Sequence, residues 1–368
     1  MENLKITNKE AISLIFVIIA NTYVYITDRI IIHSCSSSSL LNTVYISIIA
    51  LLFTFFITLL FKKFPGKNIV EISETLGGKV LKISLTIIYY IYFIFLSSVI
   101  LKKVSDCLQI IYYPMTNIIY IILLFILAAG VICSFRNPGI FKTTAIASYL
   151  LGIAIVVIFL LNIKNYDLRN IFPLFGNGLT VTFGTGLSNL FAFSGLSHLY
   201  FLPPILQKPE DFKKISLISI AISGFLLITT IANILFIYSH SLINIELFPL
   251  YISVRYIEFG TFLQRLDSIF LSFCIIASII YISISTILCS RIWKKCFQLS
   301  DSRPIVYPSL LLIFAFSMNI KEYPILNFLE DTLSKYLFFT IPVLISSIIL
   351  ILANVKFAIT KKRSEYIE

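Results

Sequence analysis

The sequence predicts an all-α membrane protein that crosses the bilayer ten times, and three observations predict it. Apolar residues make up 58% of the 368-residue chain and charged residues 13%, against roughly 45–50% and 25% in soluble domains. The apolar residues fall in runs close to the roughly 20 that a helix needs to cross a hydrocarbon core about 30 Å thick. The basic residues collect in alternate segments between those runs. A soluble globule is excluded. With no Pro/Gly/Ser-rich linker, residues 1–368 read as a single transmembrane domain, spans one to five in 11–163 and spans six to ten in 179–357.

Span one, residues 11–32, follows Asn3, Lys5, Lys9 and Glu10 with no small-residue cleavage site behind it, so it reads as a retained helix and not a signal peptide. It runs into ANTYVYITDRIIIHSCSSSS, which spends Asp28, Arg29 and His33 at the end of an apolar run. A continuous helix places Asn21 and Thr22 about 15 Å above Ala11, at the midplane, and Asp28 about 26 Å above it, near the far edge. At the midplane an amide and a hydroxyl either back-bond their own helix or line a break whose freed backbone groups bind a ligand, with Tyr23 beside them. At the mouth, Asp28 and Arg29 are either an interfacial anchor or a charged vestibule that attracts a zwitterionic ligand. The serines at 36–39 make a polar turn into span two, 41–61. Span three, 80–101, carries Tyr89, Tyr90 and Tyr92, long enough to reach a central cavity, although most of the 20 tyrosines must serve packing or the interfacial belt. Spans four and five, 118–135 and 144–163, are plain apolar runs.

Span six, 179–202, contains GTGLSNLFAFSGLSHLYFLPP. Gly184, Gly186 and Gly195 with Ser188, Ser194 and Ser197 weaken the helix, and Pro203-Pro204 stops it. The same small residues also suit close helix packing. Exposed N–H groups at a half-helix start accept a carboxylate, and Phe191 and Phe193 can wall an apolar side chain. His198, one turn below Ser194, is a candidate proton-coupling group because it is ionisable inside a span. After span seven, 215–239, the segment 240–265 is half apolar with Pro249 near its middle and reads as a helix lying over the outer face. Arg265 and Asp267 open span eight, 266–287. Two apart, they cannot share a helical face, so each implies a partner elsewhere, among Asp167, Arg169, Glu246 and Glu258, as a clamp or as a gate. Spans nine and ten are 305–318 and 336–357.

The net charge is +11, with about 20 of the 29 basic residues in the segments after spans two, four, six and eight and in the two tails. By the positive-inside rule both termini are cytoplasmic. The charge is thus topological, with lipid headgroups as secondary partners and no nucleic-acid partner. Cys35, Cys107, Cys133, Cys274, Cys289 and Cys296 show no C-x-x-C spacing and read as small buried hydrophobes, with no metal or cofactor implied. GTGLSN lies in a span and not after a strand, GLSHL is not G-x-S-x-G, and no H-E-x-x-H occurs, so no enzyme is expected.

KKFPGKNIVEISETLGGKVLK after span two, YDLRNIFPLFGNGL before span six and ELFPLYISVRYIEFGTFLQRLDSIF leading into span eight resemble the B subunit of bacterial spore germinant receptors, the spore permease family. The resemblance covers nearly the whole chain in order and spacing. That family is similar to the amino acid–polyamine–organocation transporters, which implies a LeuT-like five-plus-five inverted repeat whose helices 1 and 6 are broken near the midplane. Where family members usually have Gly-Ser/Thr and then Leu-Pro in the first span, this chain has Asn21-Thr22 and Ile26-Thr27. The resemblance implies a small germinant, most simply an amino acid, bound among Asn21, Thr22, Tyr23, Tyr92, Phe191, Phe193, Ser194, Gly195, Ser197 and His198. Asp28, Arg29, Arg265 and Asp267 would form the outer vestibule or gate. It also implies receptor A and C subunits as partners and the spore inner membrane as location. An ion-coupled amino-acid permease is the alternative; the scarcity of midplane acids favours the receptor.

Overall fold

Every backbone N–H and C=O inside a bilayer has to be satisfied within the protein, and that condition explains the architecture. The computed structural model describes residues 5–134, 139–176, 178–238, 246–257, 266–320 and 323–365. Among the described residues the chain is helical, and helical segments occupy all ten predicted positions.

The first helix starts at Asn8 behind a capping box, with Thr7 accepting the Glu10 N–H and Glu10 accepting the Thr7 N–H in return. It runs as Asn8–Thr22, Tyr23–Thr27 and Asp28–Cys35 before span two, Ser39–Phe61. Span three, Ile69–Ile111, is far longer than the predicted 80–101 because the helix already starts at a capping box on Asn68, ahead of the apolar run. Gly78, at φ +65°, bends the helix between that cap and the apolar run, a conformation that a Cβ disfavours. Spans four and five are Ile118–Ser134 and Gly139–Leu161, span seven Phe212–Ile237, span eight Leu266–Phe297 and span nine Arg303–Asn319. Span ten reaches from Tyr323 to Glu365 through two π turns, the second carrying Pro342, whose missing N–H the wider turn absorbs. A short outer helix, Pro249–Arg255, follows span seven as the proline-centred segment predicted; much of the rest of that segment lies outside the described residues.

Spans two and seven pack against each other through small residues: a Cβ on Gly224 would sit 3.1 Å from the Ser47 Cβ. The serines and threonines of these helices spend their hydroxyls on the carbonyl four residues back, as Ser47 does on Thr43 at 2.7 Å and Ser219 on Ile215 at 2.8 Å. Large apolar side chains such as Leu52, Leu124, Phe225 and Leu311 point outward, the belt expected of a surface that meets lipid.

Candidate functional site

Beside span ten with its π turns, the first and sixth spans depart from regular helix, and those two meet. The interruption expected in the first helix takes the form of a π turn at Tyr23–Thr27 with no unwound gap: the Asp28 N–H still bonds the Tyr23 carbonyl. The chain has no Gly or Pro there, and β-branched and aromatic residues tolerate a widened turn better than a gap inside a bilayer. Span six is broken more deeply. A π turn at Thr180–Gly184 passes into a 3₁₀ stretch at Thr185–Phe193, then the four-residue helix Leu196–Leu199 and a 3₁₀ turn at Pro203–Ile205. Nine consecutive 3₁₀ residues are unusual, since that geometry rarely persists beyond three or four.

The broken backbone is satisfied by side chains the sequence did not single out. Asn42 of span two donates Nδ2 to the carbonyls of Thr182 at 2.8 Å and Gly186 at 3.1 Å, and its Oδ1 accepts from Asn189 at 2.9 Å. Asn189 reaches on to Ser34 at 3.0 Å. The signal was present in principle: an amide inside a span is costly unless it repairs backbone.

Of the predicted site residues, most come together. Thr22 and Ser194 hydroxyls lie 3.1 Å apart. Gly195 rests on the first helix so closely that a Cβ would stand 2.5 Å from Ile19 Cγ1. Asn21 donates to the carbonyls of Val17 at 2.9 Å and Ala277 at 3.1 Å and accepts from Ser278 at 2.8 Å, tying the first helix to span eight. Ser197 lies 3.3 Å from His198 Nδ1, and His198 Nε2 lies 3.3 Å from Ser285. The His198 ring stands 4.6 Å from that of Phe93. Phe191 meets Phe338 edge-on at 6.0 Å. Tyr92, in span three, stands edge-on to Tyr89 at 6.3 Å. Asn21, Thr22, Tyr23, Tyr92, Phe191, Phe193, Ser194, Gly195, Ser197 and His198 are all buried. The Tyr23 and Thr27 hydroxyls are buried without a hydrogen-bond partner among the described residues.

The outer group differs from expectation. Asp28 is 1% exposed and not at an open mouth, because the outer helix Pro249–Arg255 covers it. Its Oδ1 accepts the Arg29 N–H at 2.7 Å, whereas Oδ2 is buried without a hydrogen-bond partner among the described residues. Arg29 is half-buried. Arg265 lies outside the described residues. Among the described residues, Tyr251 Oη donates to Asp267 at 2.7 Å and Tyr112 Oη at 3.0 Å. A phenol satisfies a carboxylate with one less charge to desolvate. Arg169 pairs instead with Asp167 at 3.0 Å in the outer loop, its hydrogen bonds holding that exposed carboxyl below the ordinary range. Asn233 and Asn162 fasten the outer helix to spans seven and five through Ser253, at 2.8 and 3.1 Å. Sequence reasoning also missed the buried cations of span three. Lys102 bonds Asp106 at 2.7 Å, and Lys103, 1% exposed, lies 5.7 Å from the Phe248 ring.

A bundle of spanning helices with two irregular members meeting at its centre defines an integral membrane protein of transporter-like fold. Over 93% of this chain and 80% of its own, a Na+-coupled sialic acid symporter solved in a substrate-bound outward-open state shares that LeuT-type architecture, with a TM-score of 0.66 at 13% identity. The chain belongs to the spore germination protein family, the spore permeases, whose model matches residues 5–325. Spore germination protein KB of Bacillus subtilis strain 168 is 23% identical over 267 residues, 71% of each chain.

Proposed function

We propose that the chain is the B subunit of a spore germinant receptor that binds a small germinant, an amino acid, between the π turn of the first helix and the 3₁₀ stretch of span six. The observation that carries this reading is the direct contact of the two irregular spans at Thr22, Ser194 and Gly195. Irregular backbone in corresponding helices is where transporters of this architecture place their ligands. The unpartnered Tyr23 and Thr27 hydroxyls beside it are polar groups that a bound ligand would satisfy. The spans touch here, so binding selects an arrangement in which they have parted, and that shift is what the A and C subunits would sense. The excess of basic residues in the tails and alternate segments supports cytoplasmic termini, and membership of the spore germination family supports the spore inner membrane as the location. The test is a binding screen of the purified protein against amino acids, paired with uptake into proteoliposomes under an ion gradient. Binding without uptake supports the receptor reading; gradient-driven uptake supports the permease instead.

A further inference from the structure

At the end of the bundle that carries the N-terminus, a cavity of about 210 Å³ lies between four elements, with Ser302 at the start of span nine at its edge. The chain before the first helix forms one wall, pinned by Ile6 N–H to the Ile205 carbonyl at 2.9 Å and by Gln207 N–H to the Ile6 carbonyl at 3.1 Å. The end of span six forms the second, the start of span three at Asn68 the third, and the last turns of span eight the fourth. Lys5, Arg291, Lys294 and Lys295 all line it. Lys295 is paired, at 2.7 Å from Glu71, and Lys5 donates to the Pro204 carbonyl at 3.3 Å. Arg291, half-buried, has no acceptor or ion-pair partner among the described residues. It also lines a second, very small cavity of about 10 Å³ that reaches up to His198.

The half-buried Arg291 guanidinium opens on the cavity, and its fork geometry matches the oxygens of a phosphate or carboxylate. Several cations around one opening favour an anion with more than one charged oxygen. Apart from Asn68 and Ser302 the remaining lining, Phe201, Pro204, Ile205, Leu288 and Ile292, is apolar, so the occupant carries a non-polar remainder beyond its anionic group. We infer that this cavity binds a phosphate ester through Arg291 and Lys5, either the headgroup of an anionic phospholipid or a soluble organic phosphate. The site is separate from the germinant site proposed above and stands whether or not that reading holds.

The chain's single tryptophan, Trp293, lies on the same turns of span eight as Arg291 but outside the cavity lining, stacked on Phe297 at 4.8 Å and edge-on to Tyr90 at 5.3 Å, so its emission reports on the site indirectly, through movement of that helix end. The full chain in phosphatidylcholine nanodiscs is titrated with glycerol phosphate and, in parallel, with sodium chloride at matched ionic strength. It is also compared with discs containing phosphatidylglycerol. A saturable change with glycerol phosphate, weakened about tenfold or more by Arg291→Gln and less by Arg291→Lys, assigns a soluble ester. No response to glycerol phosphate, with an emission difference in phosphatidylglycerol discs that Arg291→Gln removes, assigns the lipid headgroup. Lys5→Gln, at an exposed position, gives a weaker loss in either arm and serves if the Arg291 variant does not fold. Responses that follow ionic strength alone, or that survive both substitutions unchanged, overturn the inference.

Discussion

Replacing Gly195 by Ala adds one methyl group at the contact on which the functional proposal rests. Gly195 has φ −58° and ψ −16°, so alanine fits the backbone without strain and the effect is purely steric. The new Cβ would stand 2.5 Å from Ile19 Cγ1, 3.0 Å from Ile18 Cγ2 and 3.2 Å from the Ile19 nitrogen. Carbon atoms rest at about 3.5–4.0 Å, so the first helix and span six have to separate by about 1 Å. Overpacking of this size costs about 1–3 kcal/mol. The cost falls on the arrangement in which the two spans touch and is relieved when they part. If the ligand binds only the parted arrangement, raising its population lowers the apparent dissociation constant in proportion, by up to about 5- to 150-fold for that energy. The assay is germinant dose-response in spores that carry the variant at wild-type protein level, read as loss of optical density. The expected result is a half-maximal concentration well below wild type, whereas Gly195→Trp, which fills the same space, is expected to give no response. An unchanged dose-response in the alanine strain, with the protein present at its normal level, would refute the reasoning.

Asn42→Leu strips the Thr182 and Gly186 carbonyls of their donor, and leaving buried acceptors open costs about 1–3 kcal/mol each; thermal unfolding in detergent should show the loss, with Asn42→Gln recovering part of it. Lys102→Met leaves Asp106 buried and unpaired and is expected to cost about 3–5 kcal/mol, while the double variant Lys102→Met/Asp106→Leu should regain most of it; equal instability of single and double variants would show that the pair itself is not what matters. His198→Gln is expected to leave the pH profile of the germinant response unchanged, because the ring faces two serines and the rings of Phe93 and Tyr281; a shifted profile would assign His198 the coupling role instead.

Membership of a membrane class was legible because hydrocarbon imposes a local rule. Each span must be an apolar helix of about 20 residues, and that requirement is written into consecutive residues such as 41–61 and 118–135. The weak points of span six were legible for the same reason: Gly184, Gly186, Gly195 and Pro203 act on the backbone where they stand. The form of the irregularity in the first helix was not. Asn21-Thr22 marked the level, yet the choice between an unwound gap and a π turn at Tyr23–Thr27 is set by what span eight and span six offer that helix.

By itself the sequence determined the number of crossings, the basic and non-basic ends, and the levels at which two spans leave regular helix, since hydropathy, charge and Gly/Pro punctuation act within a few residues of chain. Only the tertiary structure decided who answers each buried polar group. Asp267 is met by Tyr251 and Tyr112, Asn21 by Ala277 and Ser278 of span eight, and the open carbonyls of span six by Asn42. The physical reason is that a polar group in a low-dielectric interior must find a partner within about 3 Å, and partners more than 100 positions away, as Asn42 is from Thr182, become neighbours only when the helices pack.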